Sequence, residues 1–360
     1  MHFRKIQAGI AAFAAVTLLG GACAKSDATT AAACDSVKGS PVITFAAYST
    51  PREVYGKIIK AFQDQWKADH NDQQVIFQES YGGSTTQAQN IVNGFGADVF
   101  AASLAPDIKT VQDAGLITHD WTAEADKGMV SSSVVVFDVR PGNPLGIADY
   151  NDLAASGVKV LTPDPAASGG ARWNIVSEYG AAMRGYAGNT KGDAAGAESL
   201  LKGINDNVIA FDKSARDSIK NFESGNGDVA ITYENEVKTA QAAGLPDEAV
   251  YPASSVLIEN PVAVVDVNAK KDCVEDVANA FVDYLHTPDA KALYTDTGFL
   301  RSTDPTEAQK GDGKDFPAIK DLWTVDDFGG WDSLYSTLFT ADGAYTKASG
   351  NAPLVTSSSP

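Results

Sequence analysis

Residues 163–174 read PDPAASGGARWN, shortly after an apolar run at residues 158–161 and at the start of a helical pattern. This order predicts a strand, a turn and a helix whose N-cap is Ser168. Because Gly169 and Gly170 have no side chains, the first N–H groups of that helix are open to a small hydrogen-bond acceptor. Taken alone, the stretch fits either a tight turn or an anion-binding helix N-terminus, and other parts of the chain decide between the two.

The N-terminus is typical of an exported protein. Arg4 and Lys5 precede an apolar run at residues 6–19, which is too short to span a membrane and predicts a signal peptide over residues 1–22. Residues 18–23 read LLGGAC and resemble a bacterial lipobox, so we expect Cys23 to be lipidated, with plain secretion as the alternative. Residues 23–40 are rich in Ala, Ser, Thr and Asp and predict a flexible, lipid-anchored linker. We therefore expect the protein on the outer face of the cytoplasmic membrane, or secreted or periplasmic without the lipid.

The chain is strongly acidic, and this limits its ligands. Its formal net charge of -18 at pH 7 becomes -20 when Arg4 and Lys5 leave with the signal peptide. Such a charge argues against binding to nucleic acid. An anionic ligand would have to be held by local dipoles and hydrogen-bond donors, because the overall field of the protein repels it.

Cysteine and histidine usage indicates a disulfide and no catalytic centre. After residue 23 the chain keeps Cys34 and Cys273, and an even number in an exported protein predicts one disulfide, with two free thiols as the alternative. His70, His119 and His286 have no metal-ligand spacing, and no phosphate-binding loop or nucleophile-elbow motif is present. We therefore expect no enzyme activity, no cofactor and no metal site.

From residue 41 onward short β-rich runs alternate with helical stretches, which predicts an α/β fold with mostly parallel sheets. A mature chain of this length usually forms two lobes. The expected strands cover residues 42–48, 74–80, 98–101, 131–139, 158–161, 208–211, 228–232 and 256–265, and the expected helices begin near residues 50, 84, 105, 168, 214, 234, 272 and 288. The first helix is predicted to start with a capping box, with Thr50 as N-cap and Glu53 at N3. We assign residues 41–130 and 260–347 to lobe 1, residues 131–259 to lobe 2, and residues 348–360 to a tail.

Four of the predicted strand-to-helix turns carry small polar residues. In a parallel sheet such turns lie at one edge, beyond the carboxyl ends of the strands, where α/β proteins bind ligands. Several helix N-termini meeting there would supply N–H donors and partial positive charge without Lys or Arg. The set therefore favours an anion site over four unrelated turns: Ser49-Thr50, Gly82-Gly83-Ser84, Ser168-Gly169-Gly170-Ala171 and Ser214-Ala215.

Six motifs, in this order along the chain, resemble the sulfate-binding proteins of sulfate and thiosulfate ABC importers. The resemblance implies a two-lobed, type II periplasmic-binding-protein fold, in which each lobe is a mostly parallel sheet flanked by helices and the ligand lies in the interlobe cleft. It also implies a monomer that carries sulfate to a membrane permease. The motifs are AYSTPREVY at 47–55, YGGS at 81–84, ADV at 97–99, SGGARWN at 168–174, YENE at 233–236 and FGGW at 328–331.

The resemblance also implies a ligand set without a charged side chain. Tyr233 stands where the family usually has Trp as an indole donor, and Ser49 replaces the family's Asp. A pocket of donors alone favours sulfate over phosphate, whose proton needs an acceptor, whereas molybdate and tungstate differ from sulfate only in size. Another oxyanion, or iron held by Tyr in a relative of the same fold, remain the alternatives. The implied contacts are the N–H groups of Ser49, Ser84, Gly169, Gly170 and Ala215 and the hydroxyls of Ser168 and Tyr233.

Overall fold

The computed structural model describes residue 34 and residues 39–310 and 316–355. The predicted signal peptide and Cys23 lie outside these ranges. By its internal contacts the chain divides into Met1–Asp35 and Ser36–Pro360, and the fold below belongs to the second unit. Among the described residues no helix is long and apolar enough to cross a membrane. Cys34 and Cys273 are both disulfide-bonded, in agreement with the disulfide predicted from the cysteine count.

The strands form one mixed sheet in the order β2-β1-β3-β9-β4-β7-β5-β6, with β8 and β10 paired to β4 and β9. Their bounds are β1 Val42–Tyr48, β2 Ile76–Gly82, β3 Val99–Ala101, β4 Met129–Val139, β5 Val160–Pro163, β6 Val208–Asp212, β7 Val229–Tyr233, β8 Glu248–Val250, β9 Ser254–Val264 and β10 Asp321–Trp323.

Helices follow most of these strands, as the alternating pattern predicted. Their bounds are α1 Arg52–Asp69, α2 Ser84–Val92, α3 Ala105–Asp113, α4 Tyr150–Leu153, α5 Gly169–Met183, α6 Ala194–Asp206, α7 Ala215–Glu223, α8 Glu234–Ala242, α9 Asp266–Lys271, α10 Glu275–Leu285, α11 Pro288–Gly298, α12 Pro305–Lys310, α13 Gly330–Leu338 and α14 Ala344–Ser349.

The sheet has two parallel halves joined by two long strands, which agrees with the predicted two-lobed α/β fold. In the first half β1 pairs in parallel with β2 and β3, and in the second half β5 pairs in parallel with β6 and β7. Strands β4 and β9 run antiparallel to each other between the halves, with Ser132 opposite Glu259. Each of these long strands also pairs with its own half, β9 with β3 and β4 with β7.

Helix periodicity explains how the two halves build their cores. The buried face of α1 carries large apolar residues at helical spacing, among them Ile58 and Phe62, and these pack with Phe281 of α10. Helix α5 is buried along almost its whole length. Its Trp173 lies in a core cluster to which α6 and strand β5 also contribute. The C-terminal segment joins this second cluster, because Leu338 and Tyr345 pack there. The lobe boundaries remain a prediction. Helix α14 packs on α6, which lies in the predicted lobe 2, although most of α14 falls in the range assigned to lobe 1.

Two local expectations were wrong, and several elements were not predicted. The capping box at Thr50 does not form: α1 begins one residue later than predicted, its N-cap position is Pro51, and Glu53 binds Arg216 instead of the start of its own helix. The helix expected from residue 272 begins at Glu275 instead, after Cys273 with its φ of 58°. The elements that were not predicted are the short strands β8 and β10 and the helices α4, α6, α9, α12, α13 and α14.

Candidate ligand-binding site

The carboxyl ends of β1, β2, β5 and β7 meet around one small cavity. It is much smaller than the pockets that bind drug-sized ligands. Helices α1, α2, α5 and α7 begin beside it, so their N-terminal dipoles point toward the same space. The lining residues are Tyr48, Ser49, Thr50, Gly82, Ser84, Ser103, Ser168, Gly170, Ala215 and Tyr233.

Six of the seven residues expected to bind the ligand line this cavity: Ser49, Ser84, Ser168, Gly170, Ala215 and Tyr233. The seventh, Gly169, is not among the lining residues. A Cβ atom added at Gly169 would overlap Leu104 Cδ2 and Ser103 Oγ, so glycine is needed there because the loop after β3 packs directly on the start of α5.

Gly170 faces the cavity. A Cβ atom at this position would lie 3.4 Å from Ser168 Oγ, 3.5 Å from Ala215 Cβ and 3.5 Å from Tyr233 Cε1. These are ordinary van der Waals distances, so a methyl group fits the fold there. Anything larger would extend between residues that line the cavity.

Ser168 and Ser214 occupy the N-cap positions of α5 and α7, as predicted, but their hydroxyls differ. Ser214 accepts a hydrogen bond from the Asp217 N–H and therefore caps its helix. Ser168 makes no side-chain capping bond. Its hydroxyl is consequently not committed to its own helix.

The N–H groups at these helix starts are also uncommitted. Outside the helix and strand ladders, no backbone hydrogen bond is donated within the described ranges by Ser49, Ser84, Gly169, Gly170 or Ala215. The first N–H groups of a helix have no acceptor within it. Such groups are costly to bury without a partner, which makes this edge of the sheet suited to an anion.

Tyr233 ends β7 and precedes α8. Its side chain is buried, its ring centroid lies 6.5 Å from that of Tyr48, and its hydroxyl has no hydrogen bond to any residue that the structure describes. Burial raises the pKa of Tyr233 well above the usual value for tyrosine, so the group stays a neutral phenol.

Two arginines lie near the cavity, and both are bound by acidic or polar neighbours. Arg216 donates to Glu53 and, at 2.7 Å, to Glu236. Arg172 donates to Tyr335 Oη at 2.6 Å and to the Pro165 carbonyl at 2.9 Å. No Lys or Arg appears among the cavity's lining residues, so positive potential there comes from helix ends rather than from side-chain charge.

The loops around the cavity touch one another across the two halves of the sheet. Trp173 Nε1 donates to the Ser103 carbonyl at 2.7 Å, and the Thr86 N–H donates to the Ala167 carbonyl at 3.0 Å. A Cβ atom at Gly83 would overlap the carbonyl oxygens of Ala167 and Lys213. The cleft is therefore closed in this structure.

Four of the lining residues were not among the seven expected contacts: Tyr48, Thr50, Gly82 and Ser103. Thr50 and Gly82 belong to the turns that the sequence indicated, and Tyr48 lies in the same motif as Ser49. Ser103 follows β3, and its strand-to-helix turn before Ala105 was a signal of the same kind as the other four.

The fold and the enclosed polar cavity between its halves define a solute-binding protein. The chain belongs to the bacterial extracellular solute-binding protein family, whose family model matches residues 43–300.

Relatives and a solved structure agree with this membership. The chain is 36% identical over 311 residues to a sulfate-binding protein of Synechococcus elongatus, covering 86% of this chain and 87% of the relative. It is 33% identical to a thiosulfate-binding protein of Escherichia coli, covering 84% of this chain and 89% of that one. The structure of the sulfate-binding protein SubI from Mycobacterium tuberculosis is similar with a TM-score of 0.74 and 35% identity, covering 83% of this chain and 99% of SubI.

Proposed function

We propose that this protein is the extracytoplasmic component of an ABC importer that captures sulfate and delivers it to the permease. The observation that carries the proposal is the cavity itself: six of the expected ligand residues line it, helix starts surround it, and its lining has no Lys or Arg. The names of the relatives, which include sulfate-binding and thiosulfate-binding proteins, support the same class of ligand.

In the proposed complex the anion accepts hydrogen bonds from the N–H groups of Ser49, Ser84, Gly169, Gly170 and Ala215. The Ser168 hydroxyl, which does not cap α5, and the Tyr233 hydroxyl complete the set. Gly169 would act through its main-chain N–H alone, since its α-carbon packs against the loop after β3. Charge neutralisation then comes from backbone dipoles, as suits a dianion in an acidic protein.

In this proposal the protein binds its ligand without catalysis. It is a monomer held at the membrane by a lipid on Cys23. The permease is the expected protein partner. Two lobes, with a hinge where residues 131–133 meet residues 259–261, would close around the ion and present it for release. That position is supported by the antiparallel pairing of β4 and β9 at these residues.

Calorimetric titration of the purified mature chain with sulfate, thiosulfate, phosphate and molybdate tests the proposal, together with native mass spectrometry of protein as isolated. We expect a one-to-one complex with sulfate and tighter binding of sulfate than of phosphate at neutral pH. Tighter binding of thiosulfate would reassign the cargo within the same family. A protein that binds none of these divalent anions would contradict the proposed function.

A further inference from the structure

The cavity has a second set of polar groups beside the expected ligand set. Four hydroxyl oxygens on its lining residues are buried and have no hydrogen-bond partner among the described residues: Tyr48 Oη, Thr50 Oγ1, Ser103 Oγ and Tyr233 Oη. Each of the four residues is at most 3% exposed. Tyr48, Thr50 and Ser103 were not among the residues expected to bind the ligand.

Buried hydroxyls without partners are uncommon because they lose their bonds to water and gain none in return. Weak contacts from Ser131 and Thr50 to the Tyr48 hydroxyl, and from Ser103 and Asn260 to the Tyr233 hydroxyl, oppose the rise in the pKa of the two phenols, but none of these contacts is a well-formed hydrogen bond. Four such groups around one small cavity are explained together by a single partner that occupies it.

The backbone of Ser103 is held in place although its hydroxyl is free. Its N–H donates to Ser84 Oγ at 2.9 Å, and its carbonyl accepts from Trp173 Nε1 at 2.7 Å and from Asn260 Nδ2 at 3.0 Å. All main-chain bonding capacity at this residue is therefore used, while the side chain on the same rigid turn has none. A group positioned in this way and left unpaired is preorganised for a ligand.

We infer that Tyr48, Thr50 and Ser103 contact the bound oxyanion through their hydroxyls and, with Tyr233, form a hydroxyl wall of the site. The inference rests on the proposed function, because the ligand in question is the same anion. The wall lies on both halves of the sheet: Tyr48 ends β1, Thr50 precedes α1, Ser103 follows β3 and Tyr233 ends β7.

The hydroxyl wall changes which anions the site tolerates. An N–H group only donates, whereas a hydroxyl donates or accepts according to its rotation. Burial keeps both tyrosines neutral, so their phenols retain the proton to donate. A tetrahedral anion that carries one proton can therefore place its O–H against the wall and its other oxygens against the helix starts.

The test compares Tyr48→Phe, Thr50→Val and Ser103→Ala with the unaltered chain, using sulfate and inorganic phosphate in calorimetry and thermal unfolding of the ligand-free protein. Each variant removes a hydroxyl at nearly constant volume. We expect sulfate affinity to fall about 5- to 20-fold and phosphate affinity to fall at least as much, while the ligand-free melting temperature stays unchanged or rises. A fall in affinity without a fall in melting temperature identifies a ligand contact, because loss of a structural hydrogen bond would lower the melting temperature.

Tyr345→Phe is the matched control, since its hydroxyl is also buried without a partner and does not line the cavity. It should leave both affinities unchanged. Sulfate binding by all three variants with the affinity of the unaltered chain would overturn the hydroxyl wall and leave the proposed function standing. Failure of the unaltered chain to bind any oxyanion would overturn both.

Discussion

Arg216 binds both carboxylate oxygens of Glu53, with Nη1 to Oε1 at 2.5 Å and Nη2 to Oε2 at 2.9 Å. The two residues come from the first turns of α7 and α1, which begin on opposite sides of the cavity. Burial opposes ionisation of Glu53, but the Arg216 guanidinium outweighs it and lowers the pKa of that carboxyl. Arg216 also donates to the Thr50 carbonyl at 3.1 Å, so the contact joins the two halves beside the ligand site.

Replacing Glu53 by Gln should weaken sulfate binding, because part of the free energy that holds the closed form is lost. The Glu53 side chain is 46% exposed, so the loss is small, about 0.2 to 1 kcal/mol, or roughly a 1.4- to fivefold rise in Kd. Calorimetry at low and at physiological salt measures it. Asp64→Asn, which breaks the exposed Lys60 pair on the same helix, is the control and should change nothing. Equal changes in sulfate affinity for the two substitutions would contradict a role of the Glu53–Arg216 contact in holding the closed form.

Gly170→Val should abolish sulfate binding while leaving the fold intact. The Cβ atom finds ordinary contacts at 3.4 to 3.5 Å, but the added methyl groups of valine occupy the cavity. Circular dichroism and thermal unfolding check the fold, and calorimetry checks binding. Gly56→Val on α1, where a Cβ meets nothing within 4 Å, gives the cost of valine in a helix without any cavity. Normal sulfate affinity in Gly170→Val would place the anion elsewhere.

Tyr233→Phe should weaken sulfate binding by roughly 1 to 2 kcal/mol, the value of a hydrogen bond to a charged acceptor. It should weaken phosphate at least as much, because the phenol can accept the phosphate proton as well as donate. Tyr233→Trp, with a donor that cannot accept, should raise the ratio of sulfate to phosphate affinity. Titration of the three proteins with both anions measures this ratio. If Tyr233→Phe binds sulfate as the unaltered chain does, Tyr233 serves packing only.

Stability should fall as pH rises because of Glu178, whose pKa burial raises to about 8. The unfolded chain releases this proton near the ordinary glutamate pKa of about 4.5, so folding is favoured below that pH and loses stability through the range up to about 8. Glu178→Gln cannot ionise and should be more stable than the unaltered chain at pH 8 to 9, by roughly a few kcal/mol, and similar near pH 5. Thermal unfolding between pH 5 and 9 measures the difference. Parallel curves for the two proteins would contradict the assignment.

Sulfate should reduce the radius of gyration, because a ligand held by donors from both halves favours the closed form. The expected hinge is the pairing of β4 with β9, where Ser133 lies opposite Ile258. Small-angle scattering of the mature chain, with and without sulfate, measures the change. Gly170→Val supplies the matched sample that should not respond. If the radius of gyration of the unaltered chain is the same with and without sulfate, the prediction is wrong and the site is preclosed or rigid.

Local patterns predicted much of the fold, because helix starts and strands depend on neighbouring residues. Ser168 and Ser214 were placed correctly at the starts of α5 and α7 for this reason. The six expected residues that line the cavity came together because carboxyl ends of parallel strands share an edge.

Long-range contacts could not be predicted in this way. Glu53 fits a capping box within its own helix. In the folded chain its carboxylate binds the guanidinium of Arg216 instead, 163 residues further along. Ser103 enters the site only because β3 lies beside β1 and β9, and the order of strands in a sheet does not follow from their sequences one at a time. Likewise the free hydroxyl of Tyr48 depends on which groups surround it in the folded chain.

The pairing of β4 with β9 constrains how the protein can move. Two strands hydrogen-bonded side by side cannot slide or stretch independently, and Arg301 adds two backbone bonds to Ser132, of 3.1 and 2.7 Å, on the same strand. What such a ribbon permits at low cost is a twist about its own length. If the proposed hinge lies here, opening and closing would follow one rotational degree of freedom, and the donors would return to the same coordinates at each cycle with little loss of positional entropy at capture.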